Sequence, residues 1–142
     1  MINSVLIVCV GNICRSPLGA AALTKACPRL VVGSAGLRAV VGATADQRMA
    51  EAALEIDIDL SAHVATQITR RMATTFDLIL VMQASQRNEI RRLYPEAAGR
   101  TMLLGQWVGS AEIADPFRLP LAVHRHVRDE IIRSVHAWTE HF

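Results

Sequence analysis

Apolar positions along this chain fall into two rhythms. Short, nearly unbroken apolar runs occur at residues 2–8, at Leu30-Val31-Val32-Gly33-Ser34, at Asp77 to Met82 and at Thr101-Met102-Leu103-Leu104. Runs of this length, rich in β-branched residues, predict strands buried on both faces. Between them the apolar residues are spaced as on helices. Residues 17–26 read as a first helix, favoured by Ala20, Ala21, Ala22 and Leu23 and ended by Cys27-Pro28. Thr44 to Leu54 reads as a second helix and Gln67 to Thr75 as a short third. Ser85 to Tyr94 reads as a fourth, broken by Pro95. From Leu121 a long closing helix is predicted, its core stripe carried by Val127, Ile131, Val135, Trp138 and Phe142. Ile56-Asp57-Ile58-Asp59-Leu60 alternates, and reads either as a short strand or as an extended connection with a solvated acidic pair. Leu37 to Gly42 and Gly105 to Leu119 read as loops.

Strand and helix in regular alternation predict an α/β fold. The expectation is a single doubly wound domain over residues 1–142, with a central four-stranded parallel sheet flanked by helices on both faces. Its working loop then lies at the carboxyl ends of the strands, at the topological switch point.

Composition narrows the function. The net charge is only +2 and aromatics are 4%, so no nucleic-acid platform is expected. No apolar run reaches membrane-span length and no basic segment precedes an apolar core, so neither membrane insertion nor a signal peptide is expected. Three cysteines do not make a disulfide framework, and they fit a reducing cytoplasm.

The first strand carries the chemistry. It runs into Cys9-Val10-Gly11-Asn12-Ile13-Cys14-Arg15-Ser16-Pro17, with Ser16 read as a helix N-cap and Pro17 in the first turn. A helix N-terminus with free N–H groups attracts an anion. Five residues between Cys9 and Arg15 let the backbone curl into a nest of donors, and Gly11 and Asn12 readily take the left-handed conformation it needs. Arg15 offers a planar fork for two phosphate oxygens. Cys9, beneath the loop amides and beside Arg15, is placed as a thiolate nucleophile toward phosphorus.

This stretch resembles the signature of the low-molecular-weight protein tyrosine phosphatases, and most of all the bacterial branch that partners tyrosine autokinases of polysaccharide export. Val32-Gly33-Ser34-Ala35-Gly36, Ser61-Ala62-His63-Val64-Ala65, Asp77 to Met82 and Asp115-Pro116-Phe117 follow in family order. The resemblance implies a catalytic set of Cys9, Arg15 and Asp115. It implies substrate contacts from Val10, Gly11, Asn12, Ile13, Cys14, Ser16, Val40 and Phe117. It also implies that Ser34 and His63 hold Asn12. By themselves Asp115-Pro116 reads as a turn, Ser34 as a turn residue and His63 as an ordinary core or surface histidine. The implied substrate is a phosphotyrosine protein, with a bacterial tyrosine autokinase as the candidate partner. No cofactor or metal is implied.

The chain departs from the family pattern at several points. Leu37, Val40 and Val41 stand where a slot wall is often aromatic, and Phe117 stands for a usual tyrosine. Gly19-Ala20 stands for a common Ala-Glu, and Thr66 for a frequent arginine. Cys14 reads either as a bystander or, by resemblance, as a disulfide partner protecting Cys9 from over-oxidation. An arsenate reductase on the same fold is the nearest rival, but no cysteine lies in residues 82–89. An arginine phosphatase carries threonine where this chain has Ile13. A non-catalytic phosphate-binding module does not explain Cys9, Arg15 and Asp115 together. Cys9, Cys14, Cys27 and His63 lack paired zinc-ligand spacing, and no Gly-Lys-Ser/Thr follows the loop.

Overall fold

The computed structural model describes residues 1–142. Four strands, β1 (Ser4–Cys9), β2 (Val31–Gly36), β3 (Leu78–Val81) and β4 (Thr101–Leu103), form one sheet in the order β2-β1-β3-β4. All neighbouring pairs are parallel. The helices are α1 (Arg15–Ala26), α2 (Gln47–Leu54), α3 (Arg70–Thr75), α4 (Ala84–Leu93) and α5 (Leu121–Thr139), with a 3₁₀ turn over Pro95–Arg100.

The unbroken apolar run of β1 follows from its central place. Val5, Ile7 and Cys9 face a core built with α1, α2 and α5, whereas Leu6 and Val8 face a second core built with α3 and α4. Both faces are covered, so no position from Val5 to Cys9 needs to be polar. The chain leaves β1 toward β2 on one side and later crosses to β3 on the other. The carboxyl end of β1 is therefore the switch point, where the crevice opens.

The structure corrects several expected boundaries. α1 starts at Arg15, and Ser16 is not its N-cap: Cys14 holds that position without a side-chain cap bond. The Ser16 hydroxyl is turned instead toward Cys9 and Asn12. β2 runs on to Gly36 rather than leaving the sheet at Ser34. α2 begins three residues later than the apolar spacing implied, because Asp46 caps it by accepting from the Met49 amide at 3.0 Å. Gln67 lies outside α3 in a single bridge to Gly36, and Thr69 caps the helix. Of the two readings of residues 56–60, the connection holds and the strand does not: a turn covers 55–57, with Asp57 at φ +63°, and 58–60 have no regular structure, although Ile58 and Leu60 are buried as their alternation suggested. Phe142 lies beyond α5 and stacks on Trp138 with ring centroids 5.8 Å apart. No helix is long and apolar enough to cross a membrane.

Candidate active site

Between β1 and α1 the chain makes a tight loop whose shape is set from outside. Five successive carbonyls are each tied outward. Cys9 O accepts from Leu37 N, Val10 O from Arg38 N, Gly11 O from Val40 N and Ile13 O from Asp46 N, at 2.7–3.0 Å. Asn12 O accepts from His63 Nε2 at 2.6 Å. In a trans peptide the N–H opposes the C=O. Turning the carbonyls of 9–13 outward therefore turns the amides of 10–14 inward, and none of those amides has an acceptor within the chain. Gly36 makes the close approach possible: a Cβ there would stand 2.5 Å from Val10 O.

Asn12 is the turning point, at φ +56°. Its Oδ1 accepts from the Thr66 amide at 2.8 Å, which fixes the amide orientation. Its Nδ2 then donates to Ser16 Oγ at 2.7 Å and to Ser34 Oγ at 3.0 Å. Because Ser16 Oγ accepts from Asn12, its own hydrogen is free to point at Cys9 Sγ, 2.9 Å away.

The inward amides floor a cleft of about 220 Å³ lined by Cys9, Val10, Gly11, Ile13, Cys14, Arg15, Arg38, Val40, Asp115 and Phe117. Arg15 is 2% exposed. Its NH1 donates to Ile113 O at 2.8 Å and to Gln83 Oε1 at 3.3 Å, which fixes the plane of the guanidinium. Its nearest carboxylate is Asp115, with NH2 to Oδ2 at 3.8 Å, and that side chain is half exposed. A buried cation with so distant a counter-charge favours an anion in the cleft. Cys14 is also buried. Burial pushes its thiol well up from the ordinary range, Asp46, Cys9 and Asp115 add to this, and Arg15 opposes it.

Val10, Gly11, Ile13, Cys14, Val40 and Phe117 thus line the cleft, while Asn12, Ser16, Ser34 and His63 stand behind it. Leu37 is buried in the sheet core and Val41 lies outside the cleft, so Val40 is the apolar wall of that segment, beside Arg38. Val40 and Phe117 are exposed, which leaves the slot open. Asp115 also makes the expected turn, its Oδ1 accepting from Phe117 N at 3.1 Å. Arg38, Gln83 and Ile113 were not foreseen. Gln83 follows the end of β3, and that position at the sheet's carboxyl edge was the available signal. A larger cleft of about 500 Å³ between α1 and α5 is mainly apolar and holds no cysteine.

A thiol at the base of an amide-lined anion cleft, on a parallel α/β sheet, defines a cysteine-dependent phosphatase architecture. Residues 4–142 match the family described as low molecular weight phosphotyrosine protein phosphatase. The chain belongs to that family and is an enzyme of its kind. It is 47% identical over 118 residues to the probable low molecular weight protein-tyrosine-phosphatase AmsI of Erwinia amylovora, covering 83% of this chain and 82% of that one. It is 40% identical to Wzb of Escherichia coli K12, a low molecular weight protein-tyrosine-phosphatase, over 99% of this chain and 95% of that one. The crystal structure of Vibrio vulnificus Wzb in complex with benzylphosphonate superposes with a TM-score of 0.97 at 38% identity, covering 100% of both chains.

Proposed function

We propose that Cys9, Arg15 and Asp115 hydrolyse phosphotyrosine in proteins through a phosphocysteine intermediate. The observation that carries this reading is the cleft floor: the acceptor-free amides of residues 10–14 and the buried Arg15 guanidinium share one cleft with Cys9. Three equatorial phosphoryl oxygens match those donors. The Cys9 thiolate attacks phosphorus, an S–P bond forms, and the bond to the tyrosine oxygen breaks. Asp115, entering as the acid, gives that oxygen its proton. Water then enters in line and gives a proton to the Asp115 carboxylate. The resulting hydroxide takes phosphorus, the S–P bond breaks and the thiolate leaves. The Ser16 hydroxyl, 2.9 Å from Cys9 Sγ, stabilises the departing sulfur. Amides, Arg15 and the start of α1 supply the positive field, so the chemistry calls for no metal.

Ser34, His63 and Thr66 keep Asn12 in its left-handed shape through the bonds described above. Ile13, Val40 and Phe117 offer apolar walls suited to a phenol ring. That favours an aromatic phosphoester over phosphoarginine. Similarity to AmsI and Wzb supports the finer reading: a cytoplasmic enzyme acting on a bacterial tyrosine autokinase of polysaccharide export.

The test is turnover of p-nitrophenyl phosphate and a phosphotyrosine peptide with EDTA present. Wild type is expected to release phosphate from both, and Cys9→Ser to bind phosphate yet release none. Wild-type protein that binds phosphate without turnover would sink the reading.

A further inference from the structure

Behind the phosphate loop stands a group of side chains that the phosphatase chemistry does not use. Cys14 ends the loop, Asp46 caps α2, and His124 lies in the first turn of α5. Their thiol, carboxylate and imidazole ligand atoms all lie within 4.8 Å of one another. Cys14 is 4% exposed, His124 is fully buried, and the Asp46 side chain is 17% exposed. They are 32 and 78 residues apart in the chain, so no ligand spacing in the sequence announces them.

The histidine gives the group its direction. Its Nδ1 lies 3.1 Å from Pro120 O, an atom that can only accept, so Nδ1 carries the hydrogen. Nε2 is then the nitrogen left for other chemistry. It lies 3.2 Å from Asp46 Oδ2, yet off the line of a hydrogen bond, and it is buried without a hydrogen-bond partner. That carboxylate oxygen already accepts from the Met49 amide. A buried imidazolium paired with aspartate would direct an N–H straight at the oxygen. A misaligned Nε2, with Nδ1 anchored on a backbone carbonyl, is instead the arrangement of a metal-ligating histidine.

We propose that Cys14, Asp46 and His124 form a binding site for a divalent cation of the zinc class. One sulfur, one imidazole nitrogen and one carboxylate oxygen suit a borderline-soft tetrahedral ion, with water as the fourth ligand. Metal–ligand bonds of about 2.0–2.3 Å hold tetrahedral ligands roughly 3.5 Å apart. The histidine–aspartate pair already meets that spacing, and a shift of about 1 Å by the Cys14 side chain closes the triangle. Cys14 lines the substrate cleft, which gives the ion a way in. As the metal–sulfur bond forms, the thiol proton passes to solvent, and no oxidant is needed. The bound ion ties the end of the phosphate loop to α2 and α5.

The test uses the full chain carrying Cys9→Ser and Cys27→Ser, in which Cys14 is the only thiol. It therefore stands or falls apart from the phosphatase reading. Zinc chloride is titrated calorimetrically and cobalt chloride by absorption. One equivalent of each is expected to bind, cobalt with a thiolate-to-metal charge-transfer band, and zinc to raise the Tm. His124→Phe in the same background is expected to weaken zinc by at least about a hundredfold, the upper end of what losing a mere supporting partner costs. Cys14→Ser is expected to abolish the band. Absence of binding, binding without the band, or zinc affinity unchanged in a folded His124→Phe protein overturns the proposal. If His124→Phe does not fold, the band in the parent and its loss in His124→Gln decide the question.

Discussion

The two halves of the cleft are built on different terms. Residues 9–14 form a loop in which every carbonyl from Cys9 to Ile13 has a partner on another segment. Residues 105–113 are well tied by turn bonds and a Gly105–Ala111 bridge, but residues 114–120 carry Asp115 on a stretch with few ties. Ile113 is its anchor: its amide donates to Met82 O at 2.9 Å and its carbonyl accepts from Arg15. Beyond it, Leu119 O accepts from Arg48 at 2.7 Å, and residues 114, 115 and 117–120 are exposed. Backbone with few buried contacts opens locally at low cost, whereas a loop pinned at five points does not. The proposed phosphate-binding loop is thus preorganised, and Asp115, the proposed proton donor, hangs two residues from its anchor. That division suits a reaction whose anion is constant and whose leaving group varies.

The sharpest way to break the rigid half is Arg15→Lys. Lysine keeps the charge but loses the planar fork and the bonds to Ile113 O and Gln83. Turnover is expected to fall roughly 10³-fold, the scale of losing a preorganised donor. Steady-state kcat on a phosphotyrosine peptide reads it, and a loss confined to KM would contradict preorganisation.

Asp115→Asn probes the loosely held half. Expected is a loss of about 10²-fold with phosphotyrosine, at the lower end for general acid catalysis, and a much smaller one with p-nitrophenyl phosphate, whose leaving group needs little protonation. Equal losses on both substrates would remove Asp115 from the acid role.

Asn12 separates backbone shape from side-chain bonding. Asn12→Gly accepts φ +56° but loses the bonds to Thr66 N, Ser16 and Ser34, while Asn12→Ala loses those bonds and resists the conformation as well. Both are expected to slow turnover. Asn12→Ala is expected to be less stable than Asn12→Gly by about 1 kcal/mol, measured by urea unfolding. If the two unfold alike, the left-handed turn is not what Asn12 is there to hold.

The smallest effect comes from the far end of β1. Asp77 accepts from the amides of Asn3 and Ser4, and the Asn3 bond foremost holds its carboxyl below its usual value of 3.8. A depressed carboxyl stabilises the fold fully above its unfolded pKa and loses that contribution as the pH falls through its folded pKa. Asp77→Asn is therefore expected to flatten the loss of stability below about pH 4 and to leave kcat unchanged at neutral pH. Melting curves from pH 3 to 7 test it.

Much of this was legible because it is local. β1, the loop and α1 occupy one continuous stretch, and their residue types announce both the buried strand and the anion nest. Ser34 and His63 were placed only by resemblance, since a serine in a strand and a lone histidine carry no signal of their own. What escaped is long-range. The start of α2 depends on Asp46 taking the Met49 amide and giving its own to Ile13 O. The clamp on Arg15 depends on a glutamine and a backbone carbonyl 68 and 98 residues away. Ser16 misled because a serine before proline reads as a cap, while the fold spends its hydroxyl on the cysteine.

The grip on Asn12 Oδ1 has a consequence for how this chain can change over time. The donor is the peptide N–H of residue 66, and the Thr66 side chain itself is exposed and bonds only to Val64 O. What the loop requires at that position is a peptide plane, not a particular side chain. Nineteen of the twenty amino acids supply it, so a threonine serves there as well as the arginine that the family resemblance implies. Position 66 is free to drift under whatever selects the surface around the cleft, and only proline, which has no N–H to give, is barred.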